Sequence, residues 1–141
     1  MNNNTYIIAE IGQAHDGSLG AAHAYIDALV KTGINAIKFQ LHSAANESSL
    51  KEKFRKNFSY QDKTRYGYWE RIEFKPEEWG QLKKHCDDLK IDFICSPFSN
   101  HAIDVLENIN TKVYKIASGE VSNRMLLDRI VSLNKKIIIS S

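Results

Sequence analysis

Seven residues whose side chains could take part in chemistry lie in or just after five short apolar stretches. In chain order they are Glu10, Lys38, Gln40, Ser96, Lys115, Ser118 and Ser140. Lysine and glutamate are rarely buried without a partner. A single lysine at the end of a strand is commonly part of a solvated rim, but the recurrence of polar residues at all five stretches predicts a functional site.

The types of these side chains indicate a site that binds an anion. Lys38 and Lys115 supply positive charge, the serines supply hydroxyl groups, and the backbone of residues 118–120 adds N–H donors. This combination suits a phosphate or a small phosphorylated carboxylate. Two carboxylates, Glu10 and Glu120, are then left for binding hydroxyl groups or for proton transfer.

Short strands that alternate with helices must position these side chains. The apolar stretches predict five β-strands, at residues 6–11, 36–40, 92–98, 113–118 and 136–141. Helices are predicted to begin at Ser18, Pro76, Ser99 and Ser122 or Asn123. Strands that alternate with helices, without hairpin signals between them, predict an α/β fold with a parallel sheet.

Two architectures fit this alternation, an open doubly wound sheet and a closed (β/α)₈ TIM barrel. The first strand is not followed by GxGxxG, and no phosphate-binding loop with its lysine occurs. Both observations argue against an open sheet that binds a nucleotide. A barrel takes about 250 residues and carries its site at the carboxyl ends of its strands. We therefore expect residues 1–141 to be the N-terminal part of a TIM barrel, with its first five strands and four helices.

A long segment after the second strand, about residues 41–74, is expected to be an irregular loop. Basic and aromatic residues alternate in it, as on surfaces that bind single-stranded nucleic acid. Its seven basic residues are nearly balanced by five acidic ones. This balance favours a folded loop at the active site, and no nucleic-acid partner is expected.

Other features of the sequence exclude several classes of protein and of site. Cys86 and Cys95 have a spacing that fits no zinc pattern, and the chain itself supplies no predicted metal ligands. No apolar run approaches the roughly 20 residues that span a membrane, and the start does not read as a signal peptide. A cytoplasmic location is therefore expected. His15 follows the first strand, where it could contact a substrate or stabilise a turn.

Five motifs occur in an order that resembles the sialic acid synthase family, over nearly the whole chain. They are Ala9-Glu10-Ile11-Gly12, His15-Asp16-Gly17-Ser18, Lys38-Phe39-Gln40, Ser96-Pro97-Phe98 and Tyr114-Lys115-Ile116-Ala117-Ser118-Gly119-Glu120. Enzymes of this family condense phosphoenolpyruvate with N-acetylmannosamine or a related amino sugar, form a nonulosonic acid and release phosphate. Their catalytic part is a (β/α)₈ barrel, usually followed by an antifreeze-like domain, and they act as homodimers.

The resemblance implies a role for each candidate residue. Phosphoenolpyruvate would be held by Lys38, Ser96, Lys115, Ser118 and Ser140. Glu10 and Gln40 would contact the amino sugar, and Glu120 would lie near the reacting carbons, so Glu10 and Glu120 are the candidate catalytic carboxylates. A divalent metal, Mn²⁺ or Mg²⁺, would polarise the sugar aldehyde, with histidine ligands expected beyond residue 141.

Two residues depart from the pattern of the family. Ala14 stands where asparagine is common, which leaves the identity of the sugar open, and Ser96 stands where threonine is usual, which keeps the hydroxyl group. The alternatives are a related barrel enzyme that condenses phosphoenolpyruvate with a sugar phosphate, and a fragment that binds an anion without turnover. We also expect Ile7, Ile37, Ile94 and Ile138 to face inward, and the isolated 141-residue chain to be inactive.

Overall fold

The computed structural model describes residues 5–56 and 58–140. Its five strands form one sheet in the order β1-β2-β3-β4-β5, and each strand is parallel to its neighbours. Their bounds are Ile8–Gly12 (β1), Ala36–Leu41 (β2), Asp92–Pro97 (β3), Val113–Ile116 (β4) and Lys136–Ile139 (β5). The prediction of a parallel α/β sheet is confirmed. Residue 141, the predicted end of the fifth strand, lies outside the described residues.

Four helices connect successive strands and confirm the predicted crossovers. They are α1 (Leu19–Val30), α4 (Pro76–Asp88), α5 (Asn100–Asn108) and α6 (Arg124–Ser132). The predicted caps are present: Ser18 accepts a hydrogen bond from the N–H of Ala21, and Ser99 accepts one from that of Ala102. Asn123 begins α6 in the same way. Such caps satisfy N–H groups that have no partner within the helix, so they define where each helix starts.

The segment after β2 differs from the expected irregular loop, because it contains two further short helices. These are α2 (Ala44–Glu47) and α3 (Arg65–Ile72), and Thr64 caps α3 by accepting from the N–H of Gly67. Neither helix is long enough to produce the repeated apolar spacing from which a helix is predicted. Ion pairs hold the segment in place: Arg65 pairs with Glu52, and Arg71 pairs with both Asp16 and Asp62.

The two faces of the sheet carry different kinds of residue. Ile37, Phe39 and Leu41 of β2 belong to the apolar core between the sheet and the helices. Because side chains alternate along a strand, Lys38 and Gln40 lie on the opposite face. The expectation that Ile37 faces inward with Ile94 is therefore wrong: Ile94 pairs in register with Lys38, so these two residues share the inner face. Ile7 precedes β1 and is half exposed.

Candidate active site at the carboxyl ends of the strands

The first cluster of the site joins three predicted residues from three neighbouring strands. The Nζ atom of Lys38 lies 2.7 Å from Oε2 of Glu10 and donates to Oγ of Ser96 at 3.2 Å. Only 10% of the Lys38 side chain is exposed, against 49% for Glu10. A buried ammonium group requires partners that offset the loss of its hydration. Glu10 and Ser96 are these partners, and the half-exposed side chain of Glu10 remains accessible from solvent.

A backbone irregularity in β1 gives Glu10 and Gln40 room next to each other. The pairing of β1 with β2 shifts between Glu10 and Gly12, and Gly12 has a φ of 54°. A Cβ atom on Gly12 would lie 3.3 Å from Oε1 of Glu10 and 3.5 Å from Nε2 of Gln40. A glycine is therefore needed here for its positive φ and for the close approach of two polar side chains. The carboxylate oxygen and the amide nitrogen border the same small space.

The second cluster lies on β4 and just beyond β5. Nζ of Lys115 donates to Oγ of Ser140 at 2.5 Å and to the carbonyl oxygen of Ile116 at 2.9 Å. Burial is the main cause that lowers the pKa of Lys115, the positive charge of Lys38 lowers it further, and Glu10 opposes the shift. Both lysines therefore act in one electrostatic environment, in which a bound anion would stabilise their charged forms.

Ser118 and Glu120 lie in a 3-10 turn after β4. Ser118 is exposed, and within residues 5–56 and 58–140 its hydroxyl has no hydrogen bond to either lysine. Oε2 of Glu120 accepts from Nδ2 of Asn123 at 2.8 Å. Glu120 also lines a cavity of about 480 Å³ together with residues of the 41–74 segment, among them Trp69. The structure thus brings five of the eight candidates into two lysine clusters, places Gln40 beside Glu10 and Glu120 at the edge of a neighbouring cavity, and leaves Ser118 at the rim.

His42 also belongs to the site, although it is not among the residues predicted from the sequence. Its Nδ1 atom lies 2.6 Å from Oε2 of Glu47, and its Nε2 atom lies 3.4 Å from Oε1 of Gln40. The ring stacks between Trp69 and Phe98, with centroid distances of 3.7 Å and 4.0 Å. One signal was available: His42 follows Gln40 by two residues, which places both on the same side of an extended chain.

His15 stabilises its own turn, one of the two roles that the sequence left open. Its Nδ1 atom accepts from the N–H of Gly17 at 3.1 Å, and its ring stacks on Phe74 at 4.4 Å. Burial lowers the pKa of His15 to about 4. The imidazole is consequently neutral at neutral pH and serves as a hydrogen-bond acceptor inside the loop.

The described residues do not assemble a metal site. Within them, no group of three or more histidine, cysteine, aspartate or glutamate side chains could hold an ion. Glu10 is paired with Lys38, and His85 contacts His23 and Asp27 on the outside of the sheet. Cys86 is buried, which raises the pKa of its thiol to about 12, so it is a core residue.

No helix in the described part of the chain is long and apolar enough to cross a membrane.

Known proteins with similar sequences are named as synthases of nonulosonic acids. The profile of the NeuB family matches residues 25–141. The chain is 33% identical to N,N'-diacetyllegionaminic acid synthase of Campylobacter jejuni over 140 residues, which are 97% of this chain and 42% of that protein. It is also 33% identical to N-acetylneuraminate-9-phosphate synthase of Drosophila melanogaster, over 98% of this chain and 38% of that protein.

The fold is also that of a known synthase. The crystal structure of the N-acetylneuraminic acid (sialic acid) synthetase of Leptospira borgpetersenii, in complex with citrate, superposes with a TM-score of 0.81 and 28% identity. The match covers 98% of this chain and 45% of that one, so the chain spans less than half the length of the relatives it matches. The five parallel strands are thus part of a TIM-type barrel. With a family profile that matches most of its residues, the chain belongs to the NeuB family, and the resemblance to sialic acid synthases is confirmed.

Proposed function

We propose that the complete protein containing this chain condenses phosphoenolpyruvate with N-acetylmannosamine or a related N-acylated amino sugar, and releases phosphate. The observation that carries this proposal is the pair of lysines, Lys38 and Lys115, each hydrogen-bonded to a serine hydroxyl on the inner face of the sheet. Relatives named as synthases of legionaminic, sialic and pseudaminic acids support condensation as the class of reaction.

In this proposal the two lysine clusters bind the phosphate and carboxylate groups of phosphoenolpyruvate. Lys38 is buried and already oriented by Ser96, and Lys115 is oriented by Ser140. Donors that are fixed before the substrate arrives stabilise developing negative charge without further reorganisation. The burial that lowers the pKa of Lys115 also makes an anionic ligand more favourable there.

The amino sugar would bind on the side of Glu10 and Gln40. Oε1 of Glu10 and Nε2 of Gln40 border one space beside Gly12, so an acceptor and a donor are adjacent. A sugar hydroxyl can donate to the first and accept from the second. Glu120, at the edge of the neighbouring cavity, is in our proposal the second carboxylate, available for proton transfer.

The divalent metal, Mn²⁺ or Mg²⁺, stays part of the proposal for the complete enzyme. Such an ion would polarise the carbonyl group of the sugar. The described residues do not fit this ion, because they contain no suitable group of ligands. We therefore assign no step of the reaction to it. A homodimer and a cytoplasmic location are likewise predictions for the complete protein.

The test is a turnover assay on the full-length protein. We expect phosphate release from phosphoenolpyruvate only when an N-acylated amino sugar is present, together with a nonulosonic acid detected by mass spectrometry. Arabinose 5-phosphate and erythrose 4-phosphate serve as sugar phosphates that lack the acylamino group. Turnover with these two compounds and none with N-acylated sugars would favour the alternative barrel synthase and contradict the proposal.

A further inference from the structure

Glu47 and His42 form a buried acid–histidine pair, and the ring of His42 contacts the side chain of Gln40. Glu47 and His42 each have only 6% of their side chains exposed, and their closest polar atoms are 2.6 Å apart. The second carboxylate oxygen of Glu47 accepts from the N–H of Ser43 at 2.7 Å. Both oxygens of Glu47 are thus engaged, and the carboxylate is held at one end of α2.

Aromatic rings fix the plane of His42. Trp69 lies on one side with an interplanar angle of 11°, and Phe98 lies on the other with an angle of 19°. A ring confined in this way, with one nitrogen bound to Glu47, presents its other nitrogen in one direction only. That direction leads to the Gln40 side chain, whose Oε1 atom is 3.4 Å from Nε2 of His42.

Oxygen atoms face both ring nitrogens of His42, so this geometry requires an N–H on each: Nδ1–H donates to the carboxylate of Glu47, and Nε2–H donates to the amide oxygen of Gln40. With both nitrogens acting as donors, the contact determines which end of the Gln40 amide faces the substrate side. The amide oxygen lies toward His42, so the amide nitrogen lies toward Gly12 and the carboxylate of Glu10. If the amide were reversed, two acceptor oxygens, from Gln40 and Glu10, would border the same space. Such a pair could no longer complement a hydroxyl group, which needs both a donor and an acceptor.

We infer that Glu47 and His42 are positioning residues that hold the Gln40 amide with its nitrogen toward the amino-sugar hydroxyl shared with Glu10. The inference rests on the proposed function, because it assumes the amino sugar as the ligand of Gln40. His42 itself does not touch the substrate in this arrangement. It links α2 and α3 of the 41–74 segment to a side chain of β2.

The test separates the hydrogen bonds of His42 from its packing. In the full-length protein, His42→Phe keeps an aromatic ring between Trp69 and Phe98 but removes both polar contacts. We expect the KM for the amino sugar to rise about tenfold, the effect of one lost hydrogen bond, while the KM for phosphoenolpyruvate changes less than about twofold. Glu47→Gln should shift the sugar KM in the same direction. Glu70→Gln, an exposed change on α3, is the matched control and should leave both constants unchanged.

A double-mutant cycle shows whether His42 acts through Gln40. If it does, His42→Phe will add little to the effect of Gln40→Ala, because the amide that it orients is already gone. Full additivity, or an unchanged sugar KM in both His42→Phe and Glu47→Gln, would overturn the positioning role. Calorimetric binding of phosphoenolpyruvate identifies variants that retain a folded site. Absence of wild-type turnover with any N-acylated sugar would instead overturn the proposed function, and with it the ligand named here.

Discussion

At the scale of single residues, the environment of Lys38 explains the placement of Glu10. The ammonium group is almost fully buried, and a buried charge without a partner costs several kcal/mol. Glu10 offsets this cost at 2.7 Å while half of its own side chain remains exposed. Glu10 can therefore compensate Lys38 and face a second ligand at the same time.

Glu10→Gln should weaken binding of the amino sugar and leave the affinity for phosphoenolpyruvate intact or slightly higher. The amide keeps the size of the side chain but removes the negative charge that competes with an anion for Lys38. Isothermal titration calorimetry of the full-length protein with each substrate measures both effects. Loss of phosphoenolpyruvate binding with unchanged sugar binding would reverse the roles that we assign to the two residues.

At the scale of elements, the features that can be predicted from the sequence are those that depend on residues close together in the chain. Ser18, Ser99 and Asn123 were identified as helix starts because a cap is formed within four residues. The polar residues at the strand ends were identified because each lies next to its own apolar stretch. The inner and outer faces of β2 were assigned incorrectly at Ile37, since the alternation alone does not say which face meets the helices.

The position of His42 depends instead on residues that are distant in the sequence. Its stacking partners, Trp69 and Phe98, are 27 and 56 positions away in the sequence, and they meet His42 only when the 41–74 segment folds over the end of the sheet. No local spacing contains that information. The two short helices of the segment were missed for a related reason, because ion pairs such as that of Arg71 with Asp16 and Asp62 hold the segment in place.

Gly17→Ala should disrupt the contact between the loop after β1 and α3. A Cβ atom at position 17 would lie 2.6 Å from the carbonyl oxygen of Arg71, and Gly17 also has a φ of 82°. Gly33→Ala is the matched control, because its φ is 79° but nothing lies within 4 Å of the added atom. We expect a loss of about 1 kcal/mol of unfolding free energy for Gly33→Ala, from backbone strain.

For Gly17→Ala the loss should be larger, at least about 2 kcal/mol, because overpacking against backbone adds to the strain. Denaturant unfolding of the full-length variants measures the difference. Equal losses in the two variants would contradict the close approach of the 41–74 segment to the loop after β1.

At the scale of the whole molecule, the sheet has two strands with a neighbour on one side only. Among the described residues, β1 pairs with β2 alone and β5 with β4 alone. Exposed apolar side chains occur on α6 and β5, where Met125, Val131 and Ile139 are 75%, 63% and 61% exposed. Unpaired strand edges and exposed apolar patches both promote association.

A polypeptide of residues 1–141 alone should therefore associate or remain partly molten, and it should show no synthase activity. In our proposal the metal ligands and the other side of the anion site come from further strands of the barrel. Light scattering, thermal unfolding and a phosphate-release assay with Mn²⁺ test this expectation. A monodisperse monomer that unfolds cooperatively and turns over substrate would mean that these residues form a complete enzyme.

The central claim, that the two lysine clusters bind phosphoenolpyruvate for condensation, is tested most directly by phosphate release from the full-length Lys115→Ala variant. Lys112→Ala is the control, since it removes an exposed lysine three residues away. Loss of a preorganised group that stabilises charge costs about 100-fold or more in turnover. We predict a decrease of at least this size for Lys115→Ala, with Lys112→Ala close to wild type. Turnover of Lys115→Ala at the wild-type rate would contradict the account.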